Sequence, residues 1–506
     1  MNVRLLVCVL FVCSLAANGQ QNNTFVQSPK LDFHFTPLGR FSNDSVGMFF
    51  PSSSLKPVIA NTGILVAGRV QSGELRASMN TDNATDFTYG PLDISFTFTP
   101  DSAQWNKSWM ISKSAILNHI QSYKKPGYVL PDEIKHWPIN PPAGFEGILA
   151  PFIDWNSNGV YEPDLGESPV VEGDINVFAV YHDYKKNRTR ADSGLGIEVK
   201  HFAYLITQPE TNQYLILNRM LVTNKNTNTI NGFKLGVCSD LILGGGNTNF
   251  VRSYPEHNAM VGFNAVGSDS IYGNNIPAFA IITLNRKLAG TMYLTTDDDV
   301  VTGYPTTNEQ IQHYLSGKWR NGKALTYGGN GVDGSTSVRY VYPGLEDKNN
   351  HPFNWLESNS GSISGKRSLL LVFDSMNLAS QATVEYRFAF QLIPGANNDS
   401  ALIKQSIEET LLRYGNGDLT NVSQIIHKTE CKVFPMPIQS NEAFIIESFN
   451  PINSIQIFDV TGRMVYNNEM QSLETSFQCS PALQPGIYSI RIATTTGLFI
   501  HKLMVQ

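Results

Sequence analysis

The side chains best suited to bind a ligand lie in one acidic stretch, FIDWNSNGVYEPDLGESPVVEGD, which runs from Phe152 to Asp174. Asp154, Asn156 and Asn158 place oxygen atoms at alternate positions, and Gly159 follows them. A chain that bends sharply at a glycine can turn such alternate side chains toward one centre. Oxygen donors at this spacing are those that Ca²⁺ prefers. The stretch therefore predicts a structural calcium-binding loop.

Further oxygens must complete the shell of such an ion, and the same stretch supplies them. The loop is not an EF-hand, because Leu165 stands where an EF-hand has its bidentate Glu, and Pro163 and Pro169 oppose a long following helix. Which acid closes the site stays open, and a plain polar turn or a pair of catalytic carboxylates are the alternatives. The candidate ligands are Asp154, Asn156, Asn158, Val160 through its backbone carbonyl, Glu162, Asp164, Glu167 and Asp174.

Other chemical signatures in the chain are weak. Neither the HExxH sequence of zinc proteases nor the GxSxG sequence of hydrolases occurs. His182 and Asp183 follow a predicted strand, where a local hydrogen bond is commoner than a catalytic pair. Trp319, Tyr327 and Trp355 lie near glycine-rich loops, where they can stack on sugars but more often pack under the loops. We therefore identify no catalytic residue.

Short apolar runs must position these side chains. FAYLIT, FAIITL and VEYRFAFQLI are examples, and turn-forming Asn, Gly, Asp and Pro separate such runs. Charged residues make up only 16% of the chain and aromatic residues 11%, which is typical of extracellular β-structure. These features predict a mainly all-β fold, with a large β-sandwich-like main region.

Two helices are also predicted in this region. TTNEQIQHYLSG has a capping box from Thr306 to Glu309 and a glycine stop at Gly317. DSALIKQSIEETLLRYGNG spaces apolar residues along one helical face and ends at a glycine. The residues on that face are Ile403, Ile407, Leu411 and Tyr414.

The N-terminus predicts export. Arg4 precedes a short apolar run, residues 5–17, which favours a signal peptide over residues 1–19 with cleavage before Gln20. Attachment of a lipid at Cys13 is the alternative. The mature chain of 506 − 19 = 487 residues shows no later segment long enough to span a membrane. The net charge of −6 argues against binding of nucleic acid, which needs a basic face.

Cleavage would leave three cysteines, Cys238, Cys431 and Cys479. An odd and sparse set of this kind is not a disulfide framework. The sequence leaves two alternatives, which are a bond between Cys431 and Cys479 or three buried thiols.

The pattern changes near the C-terminus. VFPMP, IQIFDVTGRMVY and LQPGIYSIRIATTTGLFIHKLMVQ contain short alternating strands separated by turns, which predicts a small antiparallel sandwich of the immunoglobulin-like kind. Residues 433–506 resemble the type A C-terminal sorting domain of the type IX secretion system, which exports proteins of Bacteroidota. The resemblance implies recognition of this segment by the translocation and attachment machinery of the outer membrane.

The main region resembles a group of type IX cargo proteins that carry no established activity. The likeness rests on DWNSNGVYEPDLGESPVVEGDINVFAVYHD, NRMLVTNKNTNTINGFKLGVCSD, GKWRNGKALTYGGNG and the stretch from YVYPG to FNWLE. The group commonly has several acids after the second of these segments, whereas this chain has LILGGGNTNFVRSYPEHN after Asp240. The resemblance implies a location and an architecture rather than a reaction.

Together these features predict three parts: a signal peptide at 1–19, a β-rich main region at 20–430 that holds one or two subdomains, and a sorting domain at 433–506. We predict a calcium-stabilised binding or adhesion protein, secreted or held at the outer cell surface, with a glycan or a protein as its ligand. An extracellular hydrolase of glycans and a structural component of a surface layer are the alternatives.

Overall fold

Two antiparallel sheets of nine strands each form the main region within the described part of the chain. The computed structural model describes residues 23–43, 46–81, 86–93, 102–140, 145, 147–184, 194–295, 299–347, 353–415, 431–435, 437–440, 442–448, 451–459, 463–470, 474–494 and 498–506. The predicted signal peptide lies outside these residues. None of the helices in the described ranges has the length and apolar character needed to cross a membrane.

The strands of the main region are short and follow the apolar runs. They are β1 (Thr24–Gln27), β2 (Asp32–Phe35), β3 (Met48–Phe49), β4 (Pro57–Arg69), β5 (Leu75–Met79), β6 (Thr88–Tyr89), β7 (Trp109–Ser112), β8 (Phe152–Ile153), β9 (Ser168–Pro169), β10 (Ile175–His182), β11 (Ile197–Leu205), β12 (Leu215–Asn224), β13 (Ile230–Leu241), β14 (Asn249–Tyr254), β15 (Ala259–Asn264), β16 (Ala278–Thr283), β17 (Leu288–Leu294), β18 (Arg367–Phe373), β19 (Met376–Leu378) and β20 (Thr383–Ile393).

The two sheets share one hydrophobic core. The first sheet has the order β1-β2-β3-β4-β13-β18-β17, with β5 paired to β4 and β19 to β13. The second has the order β14-β15-β16-β20-β12-β11-β10-β6, with β7 paired to β10. Leu65 and Leu370 of the first sheet and Met220 and Phe390 of the second belong to the same buried cluster. The predicted β-sandwich is therefore confirmed.

Four of the five helices in the described residues pack against the second sheet, and the helix Asn308–Tyr314 packs against β4 and β5 of the first. They are α1 (Ser102–Trp105), α2 (Lys113–Ser122), α3 (Asp132–Lys135), α4 (Asn308–Tyr314) and α5 (Ser400–Tyr414). Single 3₁₀ turns occur at Pro163–Leu165, Glu210–Tyr214, Leu243–Gly245, Pro255–His257 and Glu357–Asn359.

The two predicted helices are present, and one boundary differs. The cap of α4 is Thr307 rather than Thr306, because the Thr307 hydroxyl accepts the backbone N–H of Gln310. Asp399 caps α5, and the predicted apolar face of that helix is buried at Ile403 and Ile407. The sequence analysis missed α2, whose polar composition gives only a weak helical pattern.

The C-terminal module, residues 431–506, is a small sandwich of two antiparallel sheets. Its sheets have the orders β21-β22-β25 and β24-β23-β26-β27 in the described residues. Phe444, Ile457, Ile490 and Phe499 lie in its separate apolar core. The strands are β21 (Cys431–Phe434), β22 (Phe444–Ser448), β23 (Ile452–Asp459), β24 (Met464–Glu469), β25 (Ser476–Cys479), β26 (Gly486–Thr494) and β27 (Leu498–Val505).

The strand register of this module decides whether Cys431 and Cys479 can form a disulfide. Cys431 pairs with Ser448 at one end of β22, whereas Cys479 pairs with Phe444 at the other end. Cys238 and Cys479 are both buried free thiols. The alternative of a Cys431–Cys479 disulfide is therefore wrong, because the strand between them separates the two residues by most of its length.

Candidate functional site

The acidic stretch forms a closed loop on the main region. Strand β8 pairs with β9, so that residues 154–167 form a loop between the two short strands. Gly159 and Gly166 have positive φ angles of 74° and 94°. At Gly166 a Cβ atom would lie 2.5 Å from the Tyr123 ring, so that only glycine permits this close approach. The predicted bend at Gly159 is therefore present, and Gly166 forms a second one.

The side-chain oxygens of the first three candidate ligands accept backbone amides of the loop. Asp154 accepts hydrogen bonds from the backbone N–H groups of Asn158 (3.2 Å) and Gly159 (2.8 Å). The side-chain oxygen of Asn156 accepts the same Asn158 N–H at 3.1 Å. The side-chain oxygen of Asn158 accepts the N–H of Val160 at 2.7 Å. Two of these three oxygens thus meet at one amide, and all three are held by amides of the loop.

Two further carboxylates close the other side of the loop. Glu162 accepts the side-chain amides of Asn156 (2.9 Å) and Asn158 (2.7 Å) through one oxygen. Glu167 is 1% exposed and accepts the N–H of Glu162 at 2.7 Å. Burial raises the pKa of Glu167, and the charges of Asp154 and Glu162 raise this pKa further. The loop therefore gathers three carboxylates that repel one another.

The remaining candidate ligands are placed differently. Asp164 lies in the 3₁₀ turn of the loop, and the Val160 side chain points outward. Asp174 is not brought into the loop, because its carboxylate accepts the N–H and the hydroxyl of Thr207, both at 2.7 Å. Within the described residues, no group of three or more His, Cys, Asp or Glu side chains is arranged to hold a metal ion. A metal in this loop would thus also need the amide oxygens of Asn156 and Asn158.

The loop also contacts the C-terminal module. The Trp155 ring stacks on Phe458 with ring centroids 5.4 Å apart, and the Arg491 guanidinium lies 5.2 Å from the Trp155 ring centroid. Arg491 is 2% exposed, and burial lowers its pKa to about 10. A cavity of about 270 Å³ lies beside this contact, and its lining includes Asp164 and Glu167 as well as Trp155, Phe458 and Arg491. Trp155 is thus a contact point between the two parts of the chain.

A partly buried charge cluster, which the sequence did not predict, begins in the same stretch. Glu172 bonds to Arg387 (2.7 Å), Arg219 (3.1 Å) and the Tyr204 hydroxyl (3.1 Å). Arg219 also donates to Glu385 at 2.8 Å. The charged pair Glu385 and Arg387 inside the mostly apolar run VEYRFAFQLI was the available signal, but the other acid bonded to Arg387, Glu172, lies 215 residues away. The cluster ties the end of the acidic stretch to the second sheet.

His182 and Asp183 have a structural role. Both side chains are fully buried. Asp183 accepts the Ser78 hydroxyl at 2.7 Å and the backbone N–H groups of Leu195 (2.7 Å) and Gly196 (2.9 Å). Burial lowers the pKa of His182 to about 3, so that its ring stays neutral. Local hydrogen bonds at the strand end thus hold Asp183, whereas neither ring nitrogen of His182 has a hydrogen-bond partner among the described residues, so that the favoured interpretation applies to the acid and not to the histidine.

The aromatic residues near glycine-rich loops lie beneath those loops. Trp319 is fully buried and donates its ring N–H to the Gly331 carbonyl at 2.7 Å. Trp355 is buried and donates to the Gly329 carbonyl at 2.9 Å. Tyr327 is half-buried and packs edge-on against Trp355. The two tryptophans therefore support the loops and do not offer a surface for sugar stacking.

Comparison with known proteins identifies the C-terminal module. Residues 432–506 match a family model described as a secretion system C-terminal sorting domain. The resemblance of this module to a sorting domain is thereby confirmed, and the match supports a cargo protein of the type IX secretion system, whereas the resemblance of the main region stays a prediction. The module directs it to the cell surface or the exterior of the cell, and implies an interaction with the type IX machinery. No curated protein matches the chain.

Two solved structures show a low level of similarity. One is a polysaccharide lyase, with a TM-score of 0.21, 8% identity and coverage of 65% of this chain and 35% of that chain. The other is described as a kojibiose phosphorylase from the human microbiome, with a TM-score of 0.24, 7% identity and coverage of 82% and 40%. The chain thus spans well under half the length of these two proteins, and TM-scores this low do not establish a shared fold.

Proposed function

Because its sorting domain directs this cargo protein out of the cell, we propose that its main region binds an extracellular glycan or protein as a secreted or surface-held adhesion protein. The sorting domain is the observation that carries the proposal. A large sandwich with extended loops offers the rigid frame that binding proteins use, with contacts supplied by residues on loops and sheet edges. The proposal concerns residues 20–430, which the sorting domain delivers.

The placement of the buried acids favours binding over hydrolysis. Burial raises the pKa of Glu357 to about 7, which is a value suited to a general acid. However, its oxygens bond to Arg367 at 2.7 Å and to the Val251 N–H at 2.6 Å, and it is 1% exposed. Glu172 and Glu385 are likewise bonded to arginines. These acids are engaged in structural bonds rather than facing a substrate.

We further propose that Ca²⁺ binds the acidic loop and stabilises it. The donor set fits a hard cation, because every candidate donor is an oxygen and the side-chain oxygens of Asp154 and Asn156 already meet at one amide. Asn158, the Val160 carbonyl, Glu162, Asp164 and Glu167 are the further candidates. The ion would offset the repulsion between the carboxylates. Asp174 is left out of the proposed set, because Thr207 occupies its carboxylate.

Secretion and binding test the proposed function separately. The full chain and a form that lacks residues 432–506 are expressed in a host with a type IX system, and we expect only the full chain to reach the medium or the cell surface. The exported protein is then screened against immobilised glycans and extracellular proteins. Saturable binding without product release supports the proposal.

The alternatives give different results in the same screen. Release of reducing ends from a glycan would establish a hydrolase. Ordered self-association of the purified chain, with no binding to any probe, would establish a surface-layer component. Either result contradicts the adhesion proposal.

A further inference from the structure

A cavity of about 200 Å³ lies at the edge of the first sheet, between the end of α4 and strands β13, β18 and β17. Gly290, beside a register shift in β17, and Gly317, just after α4, contribute backbone to its wall. Tyr314 and Met292 form apolar parts of the lining and are themselves buried. The cavity therefore has a fixed apolar floor built on regular elements.

The charged residues of this cavity are all cationic. Lys234 and Arg339 line it, and neither forms an ion pair with any residue that the structure describes. No Asp or Glu is among its lining residues. Asp374, which precedes the lining residue Ser375, is held by Arg286 through two bonds of 2.9 Å. The cavity thus concentrates positive charge in a chain whose net charge is −6.

The cations lie close enough to affect one another. Burial lowers the pKa of Lys234, and the nearby charges of Arg339 and Lys318 lower it further. The Lys234 ammonium donates to the Ser316 hydroxyl at 2.7 Å, which leaves two of its three donor positions for other acceptors. Repulsion between unpaired cations destabilises the folded chain unless an anion lies between them.

We propose that this cavity binds an oxyanionic group, a sulfate ester or a carboxylate carried by an acidic glycan. A guanidinium fork bonds to two oxygens of such a group, and an ammonium supplies a point charge beside it. The hydroxyls of Ser316 and Ser375 add neutral hydrogen-bonding groups at the rim. The cavity is smaller than the roughly 300–1,000 Å³ that drug-sized ligands occupy, which suits one charged sugar or a single oxyanion.

This inference rests on the proposed binding function and names the chemistry of the ligand at one place. A free inorganic anion and a charged sugar share the oxyanion, so that both are used as probes. Binding of inorganic sulfate, glucose 6-sulfate, glucuronate and uncharged glucose to the full chain is measured by calorimetry at low ionic strength. We expect the charged sugars to bind more tightly than sulfate, and glucose not to bind.

Variants locate the binding in the cavity. Lys234→Met and Arg339→Gln should each weaken binding of glucose 6-sulfate about tenfold, as expected for loss of one charge-assisted hydrogen bond in a half-exposed site. Lys366→Met is the matched control, because Lys366 is exposed and lies at the opposite end of strand β18 from the cavity. It removes the same charge and should leave the affinity unchanged.

The thermal unfolding temperature shows whether the cavity variants are folded. Lys234→Met should unfold at the same temperature as the wild type or a higher one, because it removes a half-buried charge that two cations repel. Anion binding that is equal in the wild type and in both cavity variants would overturn the inference, as would absence of binding to the wild type. If glycan screens succeed while the cavity variants bind normally, the adhesion proposal stands and this inference fails.

Discussion

Replacement of Arg387 is expected to have a large effect on stability, because its guanidinium is buried between two carboxylates. It donates to Glu172 at 2.7 and 3.3 Å and also to Glu385. Arg219 bonds to the same two acids from a more exposed position, at 3.1 and 2.8 Å. The four charges cancel one another. The substitution Arg387→Met keeps much of the apolar volume but leaves two carboxylates facing one guanidinium.

The expected loss of stability depends on how far the carboxylates bonded to Arg387 are exposed to water. Removal of one member of a buried ion pair costs about 3–5 kcal/mol, because the other charge stays buried without compensation. Arg387 has a side-chain exposure of 1%, whereas Glu172 and Glu385 have exposures of 14% and 25%. Water therefore reaches the two carboxylates that lose Arg387 as a partner. We expect the substitution to lower the free energy of unfolding at pH 7 by about 3 kcal/mol, the lower end of the range.

The pH dependence separates lost charge from lost packing. Burial raises the pKa of Glu385, but its bonds to Arg387 and Arg219 outweigh burial and hold this pKa below its ordinary value. In the wild type, this carboxylate therefore adds stability above the unfolded pKa of about 4.3, and the contribution is lost as the pH falls through the folded pKa. In Arg387→Met, Glu385 loses one of these two bonds, so that its pKa rises and it takes up a proton at a higher pH than in the wild type. The difference in the free energy of unfolding between the variant and the wild type should therefore be smaller at pH 4 than at pH 7.

Urea denaturation of the full chain at pH 7 and pH 4, followed by tryptophan fluorescence and circular dichroism, measures both effects. Arg286→Met is the control, because Arg286 also pairs with a carboxylate, Asp374, but both partners are exposed by 20% or more. An exposed pair contributes about 0–1 kcal/mol, so that this variant should change little. A loss below about 1 kcal/mol for Arg387→Met, or an equal loss at both pH values, would refute the reasoning.

Three other perturbations test the loop, the buried histidines and the contact between the two parts of the chain. Excess Ca²⁺ should stabilise the chain relative to chelator by about 2.7 kcal/mol at a hundredfold excess over the dissociation constant. Asp154→Ala should abolish that difference, whereas Asp174→Ala should retain it because Asp174 bonds to Thr207; an equal unfolding midpoint with and without chelator in the wild type contradicts the calcium proposal. Burial lowers the pKa of His182 to about 3 and that of His201 to about 4, so that the unfolded chain binds protons below pH 6.5 before the folded chain does. The free energy of unfolding should therefore fall by up to about 1.4 kcal/mol for each histidine and each pH unit below 6.5. Urea denaturation at several pH values should show that this free energy falls less steeply with pH in His182→Gln. An unchanged dependence on pH would contradict a buried, neutral His182. Removal of residues 432–506 should make Trp155 more accessible to acrylamide, because Phe458 and Arg491 cover its ring. The difference in quenching between each chain and its Trp155→Phe variant isolates this residue, and equal quenching in the long and short chains would show that the contact is absent in solution.

Local sequence pattern predicted most of the fold because the signals were local. Short apolar runs indicated strands of the main region, alternating apolar residues indicated those of the C-terminal module, and the spacing of Ile403 and Ile407 indicated α5. The start of α4 differs from the prediction by one residue, since two adjacent threonines can both act as caps, and Thr306 instead donates to the Gln310 side chain. Helix α2 was missed, because burial of Ile116 and Ile120 against other elements stabilises it more than its own composition does.

The candidate site was predictable only where its bonds are local. The oxygens of Asp154 and Asn156 converge within a few residues of chain, as their spacing predicted. Glu172 and Asp174 lie a few residues further on, but their partners come from distant strands and connections. Proximity in sequence could not separate the acids that stay in the loop from those that anchor the stretch to the sheet.

The acidic stretch has two separable roles, because some of its acids stay in the loop and others bond to distant strands. Residues 154–167 form a surface loop that carries Trp155, which contacts the sorting domain. Glu172 instead ties the end of the stretch to Arg387 in the second sheet. An ion in the loop would order the backbone on both sides of Trp155, since Asp154 and Asn156 flank it. Calcium should therefore influence how the sorting domain rests on the main region, whereas changes at Glu172 should act on the stability of the sandwich itself.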